Sequence, residues 1–194
     1  DLINVQNATA NAVVASGEAT QGNYSVTYKN NTLTITKADA TALGLSATAY
    51  SGVYDANPHS ISASATVTEG TTLYYSTVDP ESEGFEESSW STTAPTWTNV
   101  TTAQTVYVKA ENSNYNTAYA SATVTITPKA VTVTANSVTK VYDGTAATIP
   151  TENAATVEGT LGSDTVEYTV TFAEGTDLIN VQNATANAVV ASGE

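Results

Sequence analysis

The side chains with the most chemical potential sit in one short run. Asp79, Glu81, Glu83, Glu86 and Glu87 place five carboxylates in the segment DPESEGFEESS. Calcium takes roughly six to eight oxygen ligands, and such a loop could supply several of them. The Asp-x-Asp-x-Asp-Gly order of a dedicated calcium loop is missing, so a solvated acidic loop is the competing reading. No other cofactor is expected. Trp90 and Trp97 flank STTAPT. Paired indoles could stack on sugar rings and contact a glycan or protein ligand; the alternative is that one of them fills a sandwich core. His59 is the only histidine and there is no cysteine. A nucleophile–base pair or a zinc site therefore has little to draw on. Carboxylate pairs exist, but none stands in a catalytic context, and the chain is read as a non-enzyme. Two further motifs, Tyr54-Asp55-Ala56 and Tyr142-Asp143-Gly144, could touch a ligand. They also suit a turn, in which Asp accepts local N–H groups and Gly supplies a positive φ. Tyr24 and Tyr115, each preceded by Asn, read as structural, in the manner of the tyrosine corner of sandwich folds.

Composition narrows the setting for these residues. Nineteen acidic residues face five basic ones, giving a net charge of −14. All five bases are lysines: Lys29, Lys37, Lys109, Lys129 and Lys140. Such a charge repels phosphate backbones and anionic membrane surfaces, and base readout lacks its usual arginines, so nucleic acid is not an expected partner. There is no long apolar run to insert in a membrane. A hydrophobic fraction of 41% suffices for ordinary cores, and the abundance of Thr, Val and Tyr suits half-buried pleated surfaces. The expected fold class is all-β. No segment carries helical periodicity.

The elements that must position these residues repeat. DLINVQNATANAVVASGE runs from Asp1 to Glu18 and again, without a change, from Asp177 to Glu194, an offset of 177 − 1 = 176 residues. An identity of that length reads as a window on a periodic array, and the lack of an initial Met fits a piece of a longer polypeptide. A finer repeat lies inside it. GNYSVTYKNNTLTITKA predicts a hairpin, with Val26 and Tyr28 on one face of its first strand and Leu33 and Ile35 on one face of its second. NYNTAYASATVTITPKA, beginning at Asn114, ends in the same way: Asn-Tyr, an alternating T-x-T-I-T run, then Lys-Ala. After each Lys-Ala the chain leads to Val-Tyr-Asp. TTLYYSTV, TWTNV, TVYVKAEN and DTVEYTVTFAEG predict further strands, and another is expected around residues 186–191. The resulting division is 1–37 as the end of a type-B module, 38–127 as a complete type-A module, and 128–194 as the start of the next type-B module. Six to eight short strands in roughly 85 to 90 residues suit an immunoglobulin-like sandwich.

The VYDG and VYDA motifs, the Asn-Tyr before the last hairpin and the T-I-T-x-K-A junctions resemble the YDG/MBG-type repeats of large bacterial surface proteins. That resemblance implies tandem immunoglobulin-like β-sandwich modules in an extended array on secreted, cell-surface adhesins. The expected function is a structural repeat of an adhesin stalk or fibre, with neighbouring repeats of the same protein as partners and a binding region projected from the cell. Two alternatives stand beside it. One is a filament subunit in which residues 22–36 of one copy complete residues 128–194 of the next by strand addition. The other is a glycan- or protein-binding module using Trp90, Trp97 and the acidic loop. Gram-positive surface domains of similar type also suggest Lys–Asn isopeptide bonds, for which Lys129 and Lys140 are the candidates.

Overall fold

A computed structural model describes residues 5–181 and 188–193 of the chain. The expected strand at 186–191 therefore lies partly outside the described residues. Among the described residues almost all regular structure is β, with helix limited to two 3₁₀ turns, Ala40–Leu43 and Glu87–Ser89. No helix among the described residues is long and apolar enough to cross a membrane. The chain divides into two compact units, residues 1–52 with 58–127 and residues 53–57 with 128–194.

In the first unit the strands are β1 (Gln6–Val13), β2 (Thr20–Gln21), β3 (Tyr24–Ser25), β4 (Asn31–Ile35), β5 (Ser46–Thr48), β6 (Tyr50–Val53, whose last residue falls in the second unit), β7 (Ser62–Ser64), β8 (Thr72–Ser76), β9 (Thr101–Glu111) and β10 (Ala118–Thr127). The main sheet has the order β6-β10-β9-β8, and β5 pairs with β7 in a second, smaller sheet. Alternation in TVYVKAE and ATVTIT aims Val106, Val108, Ala110, Val124 and Ile126 to one side. Those five, with Leu43, Ile61 and Ala118, are the eight buried apolar residues among the described ones. Leu43 closes the core from the Ala40–Leu43 turn. Asp39 caps that turn by accepting the Thr41 N–H at 2.9 Å, and Gly44 ends it with φ +62°. The small chains Ala110 and Ala118 let Leu43 approach, with Leu73 and Tyr115 packed around them.

The predicted hairpin ending in TLTIT does not close on itself. β4 pairs instead with β1, through Leu33↔Thr9 and Ile35↔Gln6. Over the T-x-T-I-T run this ladder repeats the β9/β10 ladder; beyond Thr9 it carries a second register shift that β9/β10 lacks. In β9/β10, Val124 and Ile126, which occupy the places of Leu33 and Ile35 in the T-x-T-I-T run, pair with Gln104 and Thr101. In both ladders three steps along one strand oppose two along the other, a bulge at the same position.

The second unit holds β11 (Thr132–Ala135), β12 (Ala155–Glu158), β13 (Thr169–Phe172) and β14 (Val189–Ser192), in two two-stranded sheets, β11-β12 and β13-β14. Its ladder again repeats one from the first unit. Phe172↔Val189 and Thr169↔Ser192 correspond to Tyr75↔Val108 and Thr72↔Glu111. None of its described residues is fully buried.

The division between sealed and open β-surface is measurable. Leu43→Ala should destabilise the chain by about 2–5 kcal/mol. Leu33→Ala, at a side chain 43% exposed, should stay within about 0.5 kcal/mol. Urea unfolding of the two variants checks this, and equal losses would contradict the assignment of the core.

Candidate functional site

The two Val-Tyr-Asp motifs form the same turn. Asp143 Oδ1 accepts the Thr145 N–H at 2.9 Å and the Thr145 hydroxyl at 2.7 Å, while Gly144 sits at φ +78°. Asp55 Oδ1 accepts the Asn57 N–H at 2.9 Å, and Ala56 sits at φ +63°. The departure from Gly at position 56 therefore leaves the turn intact and places a Cβ in left-handed space, where it is strained. Lys140 finishes the turn of the second motif. Its ammonium donates to the Thr145 and Ala146 carbonyls at 2.9 and 3.2 Å and to the Thr145 hydroxyl, and lies 2.8 Å from Asp143. The hydrogen bond from Lys140, then those from Thr145, hold the Asp143 carboxyl far below its ordinary value. These contacts engage Lys140 as a charged donor to oxygen atoms.

The two tyrosines point to different work. Tyr142 is largely exposed. Tyr54 donates to Asp164 Oδ2 at 2.8 Å, and that carboxylate acceptor pushes the phenol pKa up. Tyr115 packs on Leu43, Ala110 and Ala118, beside a backbone bridge to Ala38. Tyr24, its counterpart in the earlier Asn-Tyr, is 75% exposed.

The acidic loop does not converge. Asp79 Oδ1 accepts the Glu81 N–H at 2.9 Å, and Asp79 Oδ2 accepts the Tyr107 hydroxyl at 3.0 Å, which raises the Tyr107 pKa. Glu86 accepts from Ser88, and Glu87 takes a hydrogen bond from Lys109. Among the described residues no group of three or more acidic or histidine side chains comes together around a point where an ion could sit.

Nor do Trp90 and Trp97 form one platform. Trp90 meets Phe85 edge-on at 5.5 Å and Tyr119 at 6.2 Å, and its ring lies 5.1 Å from the Lys109 ammonium. Trp97 exchanges backbone hydrogen bonds with His59, both 2.9 Å. His59 stacks on Tyr50, with centroids 4.1 Å apart. Both indoles are half-buried, and neither fills the core that one of them was expected to occupy.

Sequence reasoning missed Lys109. This residue is 4% exposed, bound to Glu87 and to Glu111 (3.0 Å), and lies 5.1 Å from the Tyr74 ring as well as that of Trp90. Burial acts to lower its pKa, but the hydrogen bonds to Glu87 and Glu111 prevail and hold it above the ordinary lysine value. A signal was present in VYVKA, where strand alternation sets Lys109 on the face of Tyr107, opposite Val108. The geometry clamps the 79–90 loop onto the outer face of the sheet. No reacting constellation accompanies it.

Five aspartates, Asp39, Asp55, Asp79, Asp143 and Asp177, accept the N–H two residues ahead. Five of the chain's nineteen acidic residues thus serve turns. Residues 127–193 match the YDG domain, so the chain carries a YDG-type domain over that span. No curated protein and no solved structure matches the chain.

Two sets of measurements follow from these turns. Ala56→Gly should stabilise, and Gly144→Ala destabilise, by about 1 kcal/mol each, because Gly enters the left-handed region freely and no heavy atom lies within 4 Å of a Cβ built at Gly144. Thermal melts check both signs. Asp39, Asp143 and Asp177 all have pKa values lowered from 3.8. The N–H groups of Thr41 and of Asn180 and Ile179 lower Asp39 and Asp177 respectively. Their contribution is complete above the ordinary carboxylate pKa and is lost as pH falls through the folded-state values. Melting temperature should therefore drop as pH is lowered from about 6 to about 3, and less steeply in Asp143→Asn than in the native chain.

Proposed function

We propose that the chain is a structural repeat of a bacterial cell-surface adhesin, part of an extracellular stalk or fibre that projects a binding region and supports attachment. The observation that carries this reading is the recurrence of two β-ladder patterns, each at two places. The 176-residue identity repeats the sequence, and the shared bulge of β1/β4 and β9/β10, with the shared register of β13/β14 and β8/β9, repeats the geometry. On this reading 38–127 is a whole immunoglobulin-like module, while 1–37 and 128–194 are complementary parts of a second type.

The task of such a repeat is mechanical. A complete module such as 38–127 carries its own core, meets mainly its neighbours and adds length. The carboxylate turns and the charge of −14 keep adjacent copies soluble and apart. Partners are the neighbouring repeats. The charge supports neither nucleic acid nor anionic membrane as a partner. His59, the sole histidine, is stacked on Tyr50 and backbone-paired to Trp97, an arrangement that suits a packing role in such a module.

Antibodies raised against this chain should label intact, unpermeabilised cells that make it, and external protease should remove the label. Labelling seen only after lysis would overturn the surface assignment.

A further inference from the structure

The two Val-Tyr-Asp turns share a local structure and differ in their surroundings. Tyr54 and Tyr142 lie 142 − 54 = 88 residues apart, half of the 176-residue period, so the turns are evenly spaced along the repeated sequence. Val53–Asn57 continues from β6 of the first unit but is part of the second. There the Tyr54 hydroxyl donates to Asp164 Oδ2 at 2.8 Å. Asp164 closes a tight turn: its N–H donates to the Leu161 carbonyl at 3.0 Å, and Gly162 sits at φ +55°. In that setting Tyr54 is half-buried and Val53 is 54% exposed. Tyr142 and Val141, at the same two places of the second motif, are 61% and 87% exposed.

The first unit carries a counterpart of the Asp164 turn. Each Tyr-Asp motif lies in the chain between the two strands of a small antiparallel sheet, β5 and β7 for the first motif, β11 and β12 for the second. Shortly after the second of these strands the chain turns tightly. After β12 the turn is Leu161–Asp164; after β7 it is Thr68–Thr71, where the Thr71 N–H donates to the Thr68 carbonyl at 3.2 Å and Gly70 sits at φ +69°. Asn112, 9% exposed, holds this turn from inside: its amide donates to the Glu69 carbonyl at 3.0 Å and to the Thr71 hydroxyl at 2.9 Å. Glu69, at the tip, is exposed.

We propose that Val141 and Tyr142 dock on the Thr68–Thr71 turn of a second copy of the chain, the Tyr142 hydroxyl donating to the Glu69 carboxylate as Tyr54 donates to Asp164. An ionised carboxylate only accepts, and its charge strengthens the bond from a phenol. The donor is already shaped for the contact, because Asp143, Thr145 and Lys140 fix its turn through bonds within the motif. The order of the sequence selects the acceptor: residues 177–194 repeat 1–18, which lead into 38–127 and so to Glu69. Donor and acceptor are different surfaces, so the contact runs head to tail. One hydrogen bond and one valine are far less than a stable interface buries, so two separate copies meet briefly. Along one polypeptide the linkage supplies the effective concentration, and the contact fixes how one repeat follows the next. The inference rests on the array reading for the order of repeats and deepens it by naming the contact between them. Cell labelling reads where the array resides and the trap below reads the contact, so the two fail separately.

The sequence has no cysteine, so the contact can be trapped between full-length chains. One copy carries Tyr142→Cys and the other Glu69→Cys, with a size tag on one of them to separate the mixed dimer. They are combined with a short bis-maleimide in high salt, which screens the repulsion between chains of net charge −14. Glu83→Cys, exposed and acidic at the start like Glu69, replaces it in the control. The mixed dimer should form several times faster with Glu69→Cys than with Glu83→Cys. A double variant, Tyr54→Cys with Asp164→Cys in one chain, should bridge internally at any dilution. Equal rates with the two acidic positions overturn the proposal. So does an internal pair that does not bridge, because the contact on which the docking is patterned is then absent.

Discussion

A β-strand has two hydrogen-bonding edges, and much of this molecule follows from which of them are filled. β9 has both filled, by β8 and β10. Around it gather Val106, Val108 and Ala110 on one face and the Lys109 cluster on the other. The same strand type occurs at both ends of the chain, and each copy has a different neighbour. In the first copy Val14–Ser16 form no strand, whereas in the second the same residues, Val190–Ser192, pair with β13. Backbone groups left unpaired must meet water or another strand, since burying them without a partner is costly. Identical sequence therefore gives non-identical structure, decided by which partner strand is at hand.

Burial tracks this edge by edge. Val124 is fully buried and Leu33, its counterpart, is half-exposed. The side chains are similar in size and polarity. What differs is the opposing layer. β10 lies against β5 and the Ala40–Leu43 turn, which bring Leu43 into the core. Hydrophobic stabilisation scales with the area removed from water, so a strand with the right alternation gains little until a second layer covers it.

The polar side chains serve the same architecture. Asp39, Asp55, Asp79, Asp143 and Asp177 each tie down the backbone two residues ahead. Asp is short enough to reach that N–H; Glu is not, and the glutamates of DPESEGFEESS instead point to solvent, Ser88 or Lys109. This explains why a run that reads as a crowd of ligands builds no ion site among the described residues. The Tyr142-Asp143-Gly144 motif was legible as a turn from Asp and Gly, and Tyr54-Asp55-Ala56 by its likeness to it. Ala56 could be located there by motif, but its positive φ is a fact of the fold.

By itself the sequence determined the period, the all-β class, the strand-forming runs and the turns, because these depend on local alternation and on the reach of short side chains. It also marked the kinship of TLTIT and TVTIT. Tertiary structure alone decided that β4 pairs with β1 and not with the strand predicted beside it, that Trp90 and Trp97 serve separate neighbours, and that Lys109 is buried between two glutamates and two aromatic rings. Each of these joins residues distant in the chain. Alternation tells a strand which face to bury, but both of its edges present the same N–H and C=O groups, and only the assembled sheet determines what they meet.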